Sequence, residues 1–204
     1  MLLAVDIGNS TISIGLFDSK GILQFLSSLD TDPRKTADQI CVDLMNLFQL
    51  YRFRYEDVTD SILCSVVPPL NFMTAKALTR LLGKPPMVIG PGVKTGLNIR
   101  LAVQSQVGAD IVADAVAALE SFQAPIITID MGTATTIGVI SEGRTYEGGM
   151  LLPGVNVLGG PEPPCCPASR HLSAGTQIAD REVNRGLYAF RHRLWNRLHA
   201  GWNH

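Results

Sequence analysis

The feature that most constrains the fold is a strand–turn–strand unit that occurs twice. The apolar stretch Leu2–Asp6 meets the turn Asp6-Ile7-Gly8-Asn9-Ser10-Thr11 and runs straight into a second apolar stretch, Ile12–Phe17. Ile126–Asp130 meets Asp130-Met131-Gly132-Thr133-Ala134-Thr135-Thr136 and runs on into Thr135–Ile140. Each copy ends a buried strand with a carboxylate. Each also carries a glycine that lets backbone approach a ligand, and hydroxyls and amides in a tight turn. A single Asp-x-Gly-x-Ser/Thr is an ordinary turn, since aspartate and glycine are ordinary turn residues. Two copies in matching places imply two similar half-domains facing each other across a phosphate-binding cleft, with the aspartates holding a cation or its water. Phosphoryl transfer needs mainly positioning and charge neutralisation, and these are the parts for it.

The text between and around the turns reads as an α/β protein. Further strands are expected at Ile22–Ser27, Ser61–Val67 and Met87–Ile89. Helical spacing runs through Thr36–Tyr51, where Ile40, Leu44, Leu47 and Phe48 share a face. It recurs at Met73–Leu82 and at Val107–Phe122, with Val112, Val116 and Leu119 in register. A three-strand meander followed by alternating helix and strand implies a mixed sheet with helices on its faces.

Composition narrows the class further. Of 204 residues, 46% are hydrophobic and 17% charged, which argues against disorder for the chain as a whole. A net charge of −1 without a basic run leaves nucleic acid or an anionic membrane nothing to hold, so neither is an expected partner. No stretch approaches the ~18 consecutive apolar residues of a membrane span. Met1–Ser10 has no basic lead and meets Asp6 early, so it does not read as a signal peptide. Four cysteines without regular spacing make no disulfide framework. A cytoplasmic location is expected.

Two more segments carry candidate chemistry. Gln106-Val107-Gly108-Ala109-Asp110 enters a helix, and Asp110 stands in its first turn. That aspartate is either a charge complement to the helix N-terminus or a general base toward an acceptor hydroxyl. Glu147-Gly148-Gly149-Met150-Leu151-Leu152-Pro153-Gly154 reads as a strand leaving its sheet through a Pro-Gly turn. Its paired glycines would also let backbone approach a phosphate.

Taken together these segments resemble the type III pantothenate kinases, within the acetate kinase/Hsp70/actin-like ATPase superfamily. The residues that carry the resemblance are VDIGNSTISIGLF at the start, SVVPPL at Ser65–Leu70, TGLNIR at Thr95–Arg100, QVGAD at Gln106–Asp110, IDMGTATT at Ile129–Thr136 and EGGMLLPGV at Glu147–Val155. The resemblance implies two ribonuclease-H-like (actin-like ATPase) half-domains with mixed sheets, over residues 1–105 and 106–157, the second incomplete. It implies ATP-dependent phosphorylation of pantothenate to 4'-phosphopantothenate, the first step toward coenzyme A, by a cytoplasmic homodimer. By that resemblance Asp6, Ile7, Gly8, Asn9, Ser10, Thr11, Ile12, Ser13 and Thr133 bind ATP, with Asp6 organising Mg2+ indirectly. Gly108, Ala109, Asp110 and Ile111 match the pantothenate segment, with Asp110 as base, and Asp130 matches the ligand of a monovalent cation, K+ or NH4+. Two positions depart from the family pattern: Ile111 stands where arginine is common, and Leu101 where tyrosine is common. Both touch the acceptor side, which leaves open a different small-molecule acceptor, or a nucleotide-binding regulator without catalysis.

A third departure is the tail. From residue 158 the chain has no lysine, gathers all four histidines and both tryptophans, and opens on Gly159–Pro167, which lacks core-forming residues. Helical period is weak, at Val183–Leu198 only. Read one base later, codons compatible with Val157–Pro167 permit Ser-Leu-Gly-Ala-Leu, a family-like helix. Those of Trp195-Asn196 and Trp202-Asn203 force glycines where the family pattern has them. The tail 158–204 is therefore read as out of frame. Cys165-Cys166 and the late histidines lack metal-site spacing and are read the same way. The expected consequence is an apolar face of Ile126–Ile140 without its cover, with poor folding or weak dimerisation.

Overall fold

A computed structural model of the chain describes residues 1–90, 93–101 and 107–154. Gln106, Val155 and the tail 158–204, with its weak helical stretch and its cysteines and histidines, lie outside the described residues.

The first sheet is a meander extended by parallel strands. Strand β1 (Leu2–Ile7) pairs antiparallel with β2 (Thr11–Phe17), which pairs antiparallel with β3 (Leu23–Asp30). On the other side β1 pairs in parallel with β4 (Asp60–Ser65), and β4 with β5 (Met87–Val88). The order β3-β2-β1-β4-β5, with β2 antiparallel, is that of a ribonuclease-H-like half. Strand β3 runs three residues beyond the expected Ser27, because Ser28, Leu29 and Asp30 still pair with Ser13, Ile12 and Thr11. Its serines hide that continuation from apolar patterning.

Two helices cover one face. Helix α1 (Ala37–Leu50) starts at a capping box: the Thr36 hydroxyl accepts from Gln39 N and the Gln39 side chain accepts from Thr36 N. Ile40, Leu44, Leu47 and Phe48 are its buried stripe, as the spacing predicts. Helix α2 (Pro68–Leu82) starts five residues before the expected Met73. Pro68 and Pro69 occupy its first turn, where a missing N–H costs nothing. Gly83, at φ +72°, ends it in the left-handed conformation. Both helices pack on Leu3, Val5, Ile7, Ile14 and Leu16.

Helix α3 (Ala109–Ser121) lies between the two sheets. Ala113, Val116 and Ala117 pack on Leu2, Ala4, Ile62 and Cys64 of the first sheet. Ala115, Ala118 and Leu119 face Ile140, Tyr146 and Ile126 of the second. The expected single stripe of Val112, Val116 and Leu119 is therefore replaced by two faces carrying mostly alanines, which lets both sheets approach one helix.

The second sheet repeats the meander. Strand β7 (Ile126–Met131) pairs antiparallel with β8 (Ala134–Ser141), and β8 with β9 (Thr145–Pro153). A short strand missed by patterning, β6 (Asn98–Ile99), adds in parallel to β9. It belongs to this sheet although it precedes residue 106, where the second half was expected to begin. Strand β9 runs through the paired glycines and stays in the sheet to Pro153, ending where the Pro-Gly pair was expected to take it out. Among the described residues β7 is an edge, whereas its counterpart β1 is central. Ile127, Ile129, Met131, Val139, Met150 and Leu152 are all exposed on one side of this sheet. This is the face expected to lack cover, and among the described residues none packs over it.

Candidate active site

The two turns meet. In the first, Gly8 N donates to Thr11 O at 2.9 Å, and Thr31 Oγ1 donates to Gly8 O at 2.8 Å. In the second, Gly132 N donates to Ala134 O at 3.1 Å. Ser10 Oγ and Thr133 Oγ1 lie 2.8 Å apart across the gap, one hydroxyl donating to the other. Two sheets separated by more than a hundred residues of chain are thus joined at their turn tips.

Behind that bridge lies a cleft of about 410 Å3. The first turn contributes Asp6, Ile7, Gly8, Asn9, Ser10, Thr11 and Ser13, and the second Asp130, Gly132, Thr133, Ala134 and Thr136. Helix α3 adds Asp110, Ala113 and Asp114, and Val66 and Leu151 close the walls. The amides of Gly8 and Gly132 are spent closing their own turns. A phosphate would instead meet the following residues and the hydroxyls of Ser10, Thr11, Ser13 and Thr133.

Of the expected site residues, Ile12 is not in the cleft. It is 6% exposed and packs in the core beneath α1 and α2, because strand alternation sends it to the face opposite Ser13. Gly108 is the N-cap of α3, Ala109 packs toward the first sheet, and Ile111 faces a neighbouring cavity. Gly148 and Gly149 do not line the cleft. A Cβ on Gly149 would lie 2.2 Å from Ile137 O and 2.7 Å from the Tyr146 hydroxyl, so that glycine serves strand packing. Gly154 serves the second turn: a Cβ there would lie 2.3 Å from Thr133 O and 2.5 Å from Gly132 O.

Sequence reasoning missed Asp114 and Thr136. Asp114 lies one helical turn beyond Asp110, a spacing that puts both carboxylates on one face and was legible. Thr136 required knowing which side of β8 faces the cleft.

The cleft is acidic. Burial, and then the Asp6 carboxylate, raise the Asp110 carboxyl above its ordinary range, while the Ile111 amide, donating to Asp110 Oδ1 at 2.8 Å, pulls it back. Burial raises Asp130 too, followed by the charges of Asp110 and Asp6. Among the described residues, neither lysine nor arginine lines the cleft. No three carboxylates converge on one point among the described residues, so a cation here would take one or two of them and complete its shell otherwise. Hard oxygen donors and mutual repulsion fit Mg2+ or a monovalent cation.

Paired Asp–Gly turns on two facing meanders, over an acidic cleft, define the class by its fold, that of a protein with two ribonuclease-H-like halves. A family model of type III pantothenate kinases matches residues 2–159, and the chain belongs to that family. The type III pantothenate kinases of Brevibacillus brevis and Shouchella clausii are 40% and 39% identical to it over 157 residues, 77% of this chain. The matched part is 61% of either relative's own length. Among solved structures, a ROK family glucokinase from Streptomyces griseus in complex with glucose and AMPPNP is 17% identical. The match covers 74% of this chain and 47% of the glucokinase, with a TM-score of 0.40. Ethanolamine utilization protein EutJ from Carboxydothermus hydrogenoformans is 15% identical, over 74% of this chain and 51% of its own, with a TM-score of 0.45. No helix among the described residues is long and apolar enough to cross a membrane.

Proposed function

We propose that this chain carries the phosphate cleft of a kinase that moves the terminal phosphoryl group of ATP to the primary hydroxyl of pantothenate, opening the route to coenzyme A. The observation that carries the reading is the contact of the two Asp–Gly turns through Ser10 and Thr133, across from the Asp110 carboxylate. The names of the curated relatives support the substrate.

In this reading Asp6, Gly8, Asn9, Ser10, Thr11 and Ser13 hold the phosphates from one side, and Thr133 holds them from the other. Asp110 faces the acceptor and takes the proton of its hydroxyl, while Gly108 and Ala109 set the start of the helix that carries it. A carboxyl raised by burial and like charges is the better base near neutral pH. Asp6 and Asp130 hold Mg2+, through water, and K+ or NH4+ respectively, and the cations neutralise phosphate charge that the acidic cleft would otherwise repel. The working form is a cytoplasmic homodimer. Residues 158–204 are read as out of frame, in keeping with a family match that stops at residue 159.

The test is ADP release by the 204-residue chain with Mg2+ and K+, with and without pantothenate. It is repeated on a chain whose reading frame is restored at Val157. Pantothenate-dependent release in the restored chain is expected. Its absence there sinks the kinase reading, and full activity of the unrestored chain sinks the reading of the tail.

A further inference from the structure

Thr31 does not line the cleft, yet it holds the first Asp–Gly turn at two points. Its hydroxyl donates to Gly8 O at 2.8 Å, and its amide donates to Ser10 O at 3.0 Å. The continuation of β3 that apolar patterning hides is what brings it there. Asp30 pairs with Thr11, so the next residue, Thr31, emerges beside the turn.

The second half holds its turn without a side chain. Pro153 pairs with Ala134 as Asp30 pairs with Thr11, so Gly154 stands where Thr31 stands in the first half. A Cβ on Gly154 would meet Thr133 O at 2.3 Å and Gly132 O at 2.5 Å, which leaves a side chain no room. The turns differ to match. Gly132-Thr133 links β7 to β8, whereas Gly8-Asn9-Ser10 links β1 to β2. The longer turn has one more peptide to orient.

That peptide joins Gly8 to Asn9. In a planar trans peptide the N–H points opposite to the C=O, so fixing one end fixes the other. The Gly8 amide cannot serve a ligand, since it donates to Thr11 O. We propose that Thr31 is a positioning residue for the nucleotide: by holding Gly8 O away from the cleft, it aims the Asn9 amide into the cleft as a donor to a phosphate oxygen. Backbone donors held in this way bind anions without bringing a charge. That matters where, among the described residues, no lysine or arginine lines the cleft. Through its own amide Thr31 also steadies Ser10, whose hydroxyl lies 2.8 Å from that of Thr133. The inference rests on the kinase reading above and adds only how the first turn is held for ATP.

The experiment measures binding of ATP with Mg2+ by calorimetry, in the 204-residue chain and in Thr31→Val and Thr31→Ser. Valine keeps the shape and loses the donor, whereas serine keeps the donor. An acceptor left unmet costs roughly five- to tenfold, so Thr31→Val is expected to weaken ATP by about that factor and Thr31→Ser by less than about twofold. Thr59→Val is the control for a merely structural bond, because the Thr59 hydroxyl donates to Met1 O at 3.0 Å and lines no part of the cleft. Its ATP affinity should equal the parent's. In a form that turns over, Thr31→Val should raise the KM for ATP and leave the KM for pantothenate as it was. Thr31→Ala takes the place of valine if that variant does not fold. Unchanged ATP affinity in the variant, or an equal loss in Thr59→Val or Thr31→Ser, overturns the inference and leaves the kinase reading standing. So does a rise of both KM values together. A parent that binds no ATP, with its reading frame restored or not, brings down both.

Discussion

Replacing Gly108 with alanine asks whether the Asp110 carboxylate has to stand where it does. A methyl group on Gly108 would lie 2.2 Å from Asp110 Oδ1, whereas ordinary contact starts near 3.4 Å. The oxygen must therefore give way by about 1.2 Å, the difference between those two distances. The backbone need not move, because φ −60° and ψ 149° at Gly108 suit alanine as well as glycine. Asp110 has to rotate instead, and it gives up the bond from the Ile111 amide at 2.8 Å. Losing a hydrogen bond to a charged group costs about 1.5–3 kcal/mol. The stiffer unfolded chain returns roughly 0.4–1 kcal/mol. The net is a fall of about 1–2 kcal/mol, or a few degrees in Tm for a chain this long. Activity should suffer far more, since a reacting group misplaced by about 1 Å costs on the order of a hundredfold. Initial rates of ADP release, taken in whichever form of the chain turns over, give kcat, and a thermal melt of the same sample gives Tm. A kcat within twofold of the parent would refute the role given to Asp110. A collapse of Tm by ten degrees or so would refute the claim that only the carboxylate moves.

Three further outcomes are expected. The Asp110 and Asp130 carboxyls are raised in the folded chain, so the native state binds protons more tightly than the unfolded one. Stability then rises as pH falls from neutral through their folded pKa values, and the gain is complete near the unfolded value of about 4. Asp130→Asn should raise Tm at pH 7.5 and flatten that rise in calorimetry without added cations. A lower Tm at pH 7.5 would contradict it. Ile129→Lys breaks the bare face of the second sheet at a position 57% exposed. Light scattering should report less self-association, with stability changed by no more than about 0.5 kcal/mol. Thr36→Ala removes the hydroxyl that accepts from Gln39 N, leaving the Thr36 backbone bond to Gln39, and should cost about 1 kcal/mol, or roughly 2–4 °C, in a thermal melt. No change in Tm would mean that this hydroxyl adds nothing to α1.

Much of the first half was legible because its elements obey local rules. Helical spacing marks α1, and the stripe Ile40, Leu44, Leu47 and Phe48 is the stripe that is buried. The start of α2 was misread because two prolines look like a break when they are a first turn. Strand β6 and the alanine faces of α3 had no such signal. A two-residue strand has no period, and alanine at a helix face says nothing about how many partners that face has.

The paired turns also separate the two levels. Sequence alone determined that Asp6 and Asp130 stand at strand ends, to within the one residue by which β1 and β7 run on, that Gly8 and Gly132 follow two residues on, and that hydroxyls stand next in line, because a hairpin is decided by neighbouring residues. It did not decide that Ser10 would touch Thr133, that Asp114 and Thr136 would join the cleft, or that Ile12 would leave it. Those outcomes depend on how α3 spaces two sheets and on which face of each strand looks inward. The same holds for burial. Strand β1 is closed on both faces and β7 on one, although both are short apolar runs with aspartate next to last. Cover is supplied by segments distant in the chain, and a strand's own residues carry no record of whether those segments arrive.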